Sequence, residues 1–172
     1  MGRPDDERPH RADLTSLLVE LADAGVEFIL VGGLAAVAQG VPLSTFDVDI
    51  VHCRTPANVA RLLQVLHAVA AHARGRPPQQ RLLPSEDALL GPGHQLLMTD
   101  KGALDVLGAI EDGQTYEDLI ADSMALPLRG RTIHVLRLHK LADLKRGATR
   151  TRDQMALLLI DEALAAREDR SS

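Results

Sequence analysis

The chain of 172 residues is long enough for one domain with a substantial hydrophobic core. Hydrophobic residues make up 45% and charged residues 25%, the balance of a soluble globular protein, which excludes wholesale disorder, collagen and coiled-coil rods. Nineteen Lys and Arg against 24 Asp and Glu leave a net charge of -5, which excludes a uniformly basic surface for coating DNA. One Tyr, two Phe and no Trp provide little for stacking on single-stranded bases. A lone cysteine, Cys53, excludes an internal disulfide and a cysteine-rich zinc site and fits a reducing, cytoplasmic compartment. No segment reaches the roughly 20 apolar residues of a spanning helix, and the charged N-terminus lacks an apolar export core, so neither membrane insertion nor export is expected.

Residues 1–10 are polar and carry two prolines, which predicts a mobile lead-in, with residues 11–172 forming a single domain. Over residues 13–24, Leu14, Leu17, Leu18 and Leu21 recur at helical spacing, with Asp13 as N-cap and Gly25 as stop. The apolar run 27–31 reads as a strand that turns at Gly32 and Gly33 into a short helix ending near Gly40. After Pro42, residues 46–52 alternate, with Val48 and Ile50 on one face and Asp47 and Asp49 on the other, and form a second strand. Pro56, Val59, Leu62, Leu63, Leu66 and Val69 predict a longer amphipathic helix reaching about Ala73, followed by a loop over 75–80. Three short strands are expected at 81–84, 94–99 and 103–109, the first two separated by a loop, SEDALLGPG. Residues 115–123 suit one or two helical turns, and 125–138 a hairpin turning at Arg129-Gly130-Arg131. Two helices close the chain, at about 139–147 and 151–167. Interleaved strands and helices give an α/β class with a mixed sheet and helices packed on it.

Asp47 and Asp49 are the informative pair, because strand period places both carboxylates on one face a few ångströms apart. Two anions so close are driven toward protonation unless a cation compensates, and a divalent metal with oxygen ligands, Mg²⁺ first, is the usual resolution. Taken alone, a D-x-D pair is as well explained by a solvated strand face. Gly32 and Gly33 precede the pair, and a glycine turn into a helix N-terminus exposes backbone N–H groups that favour phosphate; close packing at a tight turn explains the same glycines. Asp105 lies between Leu104 and Val106 on an expected strand, where an acid needs a partner or an open edge. Lys140, Lys145, Arg146, Arg150 and Arg152 form a basic cluster suited to phosphates, or a solvated helix face. His52 falls on the side of Val48 and Ile50, which assigns it to packing.

The run VGGLAAVAQGVPLSTFDVDIV with a later strand acid in LDV resembles the nucleotidyltransferase superfamily, the polymerase beta-like fold, and in particular its minimal and AbiEii-like members of toxin–antitoxin systems. The segment LHKLADLKRGATRTRDQMALL is similar to their closing motif, with Lys145, Arg150 and Asp153 at the matching positions. The resemblance spans residues 27–159. It implies a metal-dependent transfer of an NMP group from a nucleoside triphosphate such as ATP to an acceptor hydroxyl, with pyrophosphate released. It implies Asp47, Asp49 and Asp105 as catalytic and metal-holding residues, two Mg²⁺ ions, and Asp105 as general base. Gly32, Gly33, Ser44, Thr45, Lys145 and Arg150 are implied in nucleotide binding, with Ser44 and Thr45 supplying donors because Leu43 stands where many members carry a basic residue. The implied acceptor is RNA or protein, with a toxin role and a cognate antitoxin. The other readings are a small-molecule acceptor, as in antibiotic modification, and a non-catalytic nucleotide-binding or protein-interaction module on the same fold.

Overall fold

A computed structural model gives the fold for residues 12–171, and the lead-in expected at 1–10 lies outside the described residues. Helix α1 (Leu14–Asp23) buries Leu17, Leu18 and Leu21; the Asp13 carboxylate accepts from the Ser16 N–H at its start, and the chain leaves it through Gly25 at φ 73°. Strand β1 (Phe28–Val31) is buried along its whole length, as a strand with neighbours on both sides must be. It runs into α2 (Gly32–Ala38), with Gly32, at φ 68°, making the expected turn from strand to helix. Strand β2 (Asp47–His52) and helix α3 (Pro56–Ala68) follow. The Thr55 side chain accepts from the Asn58 N–H at the α3 start, and Pro56 occupies the first helical turn.

Helix α3 stops short of the expected 73. Ala70 takes a left-handed conformation at φ 52°, its N–H bonding back to the His67 carbonyl and the Ala71 N–H to that of Leu66. The reversal releases His72–Ala73 as a two-residue strand, β3. Residues 81–84 are not a strand; only the Leu82 carbonyl engages, accepting from the Ala73 N–H. The stretch expected as the loop SEDALLGPG contains a helix, α4 (Glu86–Leu90), whose start is fixed by Ser85 Oγ accepting from the Ala88 N–H and by Glu86 and Asp87 in the first turn. Strands β4 (His94–Thr99) and β5 (Gly102–Leu107) form as expected, and α5 (Tyr116–Leu119) is one turn closed by a Thr115–Asp118 capping box. Strands β6 (Ser123–Leu128) and β7 (Arg131–Leu136) make the hairpin, but Arg131 pairs with Leu128. Its turn is therefore two residues, Arg129 and Gly130, both at positive φ, the twist that suits a tight hairpin. Helices α6 (Leu138–Lys145) and α7 (Thr151–Ser171) complete the described chain.

The strands form one mixed sheet in the order β3-β4-β5-β2-β1-β7-β6. Strand β2 runs parallel to β5 and antiparallel to β1, and β1 runs parallel to β7. On one face Val48, Ile50, Leu104 and Val106 are fully buried in a core shared with Leu17, Leu21, Leu62 and Leu66. Each such side chain contributes about 1.5–3 kcal/mol relative to exposure. Asn58, also fully buried, ties this layer together, accepting from the Glu27 N–H and donating to the Glu27 and Cys53 carbonyls. The other face carries Asp47, Asp49 and Asp105, with α2, α6 and α7 packed beside them. Two polar clasps place those helices: Gln39 at the end of α2 donates to the Leu136 carbonyl (2.8 Å), and Arg167 of α7 reaches back to the Gln39 carbonyl. No helix among the described residues is long and apolar enough to cross a membrane.

Candidate active site

Asp47 and Asp49 leave the same face of β2, and the parallel register of β2 on β5 sets Asp105 directly beside Asp49. One carboxylate oxygen from each of the three lies within 4.8 Å of the others, and each side chain is half-buried. Burial above all, then the charges of Asp47 and Asp105 and a hydrogen bond with Asp105, push the Asp49 carboxyl up to about 7, against the opposing pull of Lys145. Without a cation, the trio therefore keeps a proton near neutral pH. An all-oxygen donor set carrying that much unbalanced charge fits a hard divalent cation.

The backbone makes room for this cluster. Gly32 sits at φ 68°, and a Cβ built there would collide with Asp49 Oδ2, so only glycine leaves the carboxylate its place. Gly33 is packed almost as closely, with Thr45 Oγ1 at 3.2 Å from the position of its absent Cβ. Thr45 Oγ1 donates to the Asp47 carbonyl (3.3 Å) and lies 3.4 Å from Asp47 Oδ1, so it supports the acid rather than lining the cleft.

A cleft of about 400 Å³ opens over the acids. Gly32, Gly33 and Ser44 line it from the sheet side, and Lys145, Arg150 and Arg152 from the helical side. Lys145 Nζ is 2.9 Å from Asp153 Oδ1, which joins the end of α6 to the start of α7 and holds the Asp153 carboxyl below the ordinary aspartate value. The basic cluster thus divides: Lys140 faces Asp122 at 3.8 Å, and Arg146 reaches Asp143 and Asp161, while Lys145, Arg150 and Arg152 face the cleft. A second cleft, of about 730 Å³, meets the first at Asp49, Asp105 and Lys145 and extends over the β4–β5 face past Leu96 and Leu107.

One residue of the cluster carries no signal in the sequence. Arg74, just past β3, donates from Nη2 to Asp105 Oδ1 and to the Leu97 carbonyl. The two-residue strand that brings it there falls where the apolar pattern predicts helix. His52 is buried with ring nitrogens against the Leu89 (2.7 Å) and Leu107 (3.2 Å) carbonyls, the packing role its strand face predicts. Burial holds its pKa below the ordinary histidine value. Cys53 is a buried free thiol with its sulfur 3.5 Å from Glu117 Oε1.

No protein-family model matches the sequence, and no curated protein matches it. Solved structures do match. The lincosamide antibiotic adenylyltransferase LnuA, bound to lincomycin, aligns with a TM-score of 0.60 at 15% identity over 87% of this chain and 95% of that one. ANT(2")-Ia in complex with adenylyl-2"-tobramycin aligns with a TM-score of 0.53 at 12% identity over 92% of this chain and 97% of that one. An antigenic nucleotidyltransferase-like protein from Paracoccidioides brasiliensis aligns with a TM-score of 0.51 at 15% identity over 85% and 72%. At such identities the likeness is one of architecture, and the three agree on it: the chain has the nucleotidyltransferase fold.

Proposed function

We propose that the protein is a metal-dependent nucleotidyltransferase that moves an NMP group from a nucleoside triphosphate to an acceptor hydroxyl. The observation that carries this reading is the meeting of Asp47, Asp49 and Asp105 within 4.8 Å in the same cleft as Lys145 and Arg150. The three acids would hold Mg²⁺, two ions on this reading, whose chemistry when bound is to neutralise phosphate charge and acidify the acceptor hydroxyl. The chain's own groups do the rest. Lys145 and Arg150 supply positive charge for the triphosphate, Ser44 a hydroxyl donor, and Gly32 and Gly33 backbone that a phosphate can approach without a side chain in the way. Thr45 steadies Asp47. Asp105 takes the acceptor proton as its oxygen attacks the α-phosphorus in line.

On this reading residues 11–172 act as one catalytic domain, working in the cytoplasm where nucleoside triphosphates are supplied. The sequence resemblance supports an RNA or protein acceptor, a toxin role and a cognate antitoxin. A small-molecule acceptor is supported by the fold shared with antibiotic adenylyltransferases. The test is label transfer from each α-³²P nucleoside triphosphate with Mg²⁺, into RNA, protein or small molecules, for wild type and the Asp47→Ala/Asp49→Ala double variant. Transfer by the wild type alone is expected. No transfer together with no Mg²⁺-dependent nucleotide binding would leave a fold used for binding only.

A further inference from the structure

The nucleotide cleft, the smaller of the two over the acids, changes character along a single helix. Arg152, Met155, Ala156 and Leu159 of α7 line it together, at the three- and four-residue spacing that keeps side chains on one face. The stripe begins charged, with Arg152 in the first turn beside the Lys145–Asp153 pair. From Met155 onward it is apolar, and Leu159 stands about 10 Å further along the axis than Arg152. Met155 is 56% exposed, and Leu159 packs half-buried against the core. Leu43 adds hydrocarbon from the segment before β2: its Cδ1 lies 3.4 Å from the position of the Cβ that Gly33 lacks, over the start of α2. One part of the cleft is thus built for charge and another for hydrocarbon. A nucleoside triphosphate has the same division, its anionic phosphates joined through a sugar to a flat ring system.

Resting on the transferase reading, we propose that Leu43, Met155, Ala156 and Leu159 seat the nucleobase and hold it by contact area rather than by its hydrogen-bonding edge, so that the four bases are accepted with little distinction. Three features support this. Lys145, Arg150 and the metal-holding acids draw the phosphates to the charged part, which leaves the base the apolar one. Base edges are told apart by side chains that match their donors and acceptors, such as Asn and Gln on adenine. No Asn, Gln, His or Tyr lines this cleft among the described residues, and Arg152, whose fork could match guanine, stands in the first turn of α7 with the phosphate-binding cations. Met155, the most open of the four, is an unbranched thioether that adapts to rings of different size, as methionines do on surfaces that accept many partners. An apolar seat separates related ligands by roughly 10- to 200-fold at most, whereas a site that hydrogen-bonds the ligand rejects the wrong group by roughly 10⁴-fold or more.

The experiment measures binding, which needs no acceptor. The full chain with Mg²⁺ is titrated by calorimetry with the α,β-methylene analogues of ATP, GTP, CTP and UTP, which cannot transfer, and with inorganic tripolyphosphate, which has the charge and no base. Expected are Kd values for the four analogues within about tenfold of one another, all tighter than that of tripolyphosphate. Met155→Ala and Leu43→Ala should each weaken all four analogues by roughly three- to tenfold. Tripolyphosphate should bind both variants as it binds wild type, which also shows that they are folded. A spread beyond tenfold among the analogues overturns selection by area. Analogue Kd values unmoved in both variants, or no tighter than tripolyphosphate in the wild type, overturn the seat and keep the transferase. Weakening of tripolyphosphate to the same extent as the analogues also overturns the seat, since the residues then serve the cleft as a whole. Mg²⁺-dependent binding of neither the analogues nor tripolyphosphate overturns the transferase reading and this one with it.

Discussion

Arg74 Nη2 binds Asp105 Oδ1, so one of the three clustered carboxylates is held by a cation that the chain itself supplies. The contact is made from the β4 side, where Arg74 also grips the Leu97 carbonyl, and the Arg74 side chain is one-third exposed. With one oxygen anchored, Asp105 presents the other to the site in a fixed orientation, which is what a base or metal ligand needs.

Arg74→Met should therefore lower kcat by roughly 10- to 100-fold, the usual effect of losing a group that orients a ligand. The KM for nucleoside triphosphate should stay near wild type, because Arg74 does not line the nucleotide cleft. Arg74→Lys should restore part of the rate. Steady-state kinetics with thermal unfolding as a control checks this; equal loss of rate in the Lys variant would assign Arg74 to folding alone.

Gly32→Ala places a methyl group on Asp49 Oδ2 at a backbone angle that favours glycine. Strain of about 1–3 kcal/mol is expected, together with loss of nucleotidyl transfer. Gly40→Ala, also at positive φ but in open space, is the control: it should lose stability without losing activity. Unfolding midpoints and label transfer, measured on both, separate backbone strain from damage to the site.

The Asp49 carboxyl, raised to about 7 by burial and by its two acidic neighbours, sets a pH dependence with a definite sign. Between the ordinary aspartate value and about 7 the folded state holds a proton that the unfolded chain has released. Metal-free protein should thus lose stability as pH rises through that window. Asp49→Asn removes the penalty, and should stabilise the metal-free protein at pH above 7 by on the order of 2 kcal/mol while abolishing transfer. Denaturant unfolding in EDTA across pH checks it, the expected sign being opposite to that of an acid stabilised by an ion pair.

Asn58→Ala leaves the Glu27 N–H and the Cys53 carbonyl without their side-chain partner in a fully buried position. A loss of about 2–3 kcal/mol is expected, read as a lower denaturant midpoint with an unchanged slope. Metal-dependent transfer by the fraction still folded should persist, since Asn58 belongs to the layer opposite the acids.

The parts of this arrangement that could be read from the chain were those with strong local period. Alternation in residues 46–52 puts Asp47 and Asp49 on one face, and the apolar neighbours of Asp105 single it out as an acid needing company. Helix α1 follows from its leucine spacing and its Asp13 cap. Elsewhere long-range pairing overrode the local pattern. Val69 continues the apolar spacing of α3, yet Ala70 reverses the chain because β4 takes His72 and Ala73 as edge partners. Ser85 with Glu86 and Asp87 was a legible helix start, obscured by the glycines and proline that follow it. Arg74 is the clearest loss: its importance comes entirely from a tertiary neighbour.

The pairing of Asp49 with Asp105 across β2 and β5 ties the chemistry to the topology. Side chains alternate along a strand, so a slip of β5 by a single residue would send Asp105 into the core and bring Leu104 or Val106 to the acids. The trio exists only once the central strands have closed in the right register. A divalent ion captured there would act as a proofreading ligand for folding, adding its binding free energy to the correctly threaded sheet and to none of its misaligned rivals.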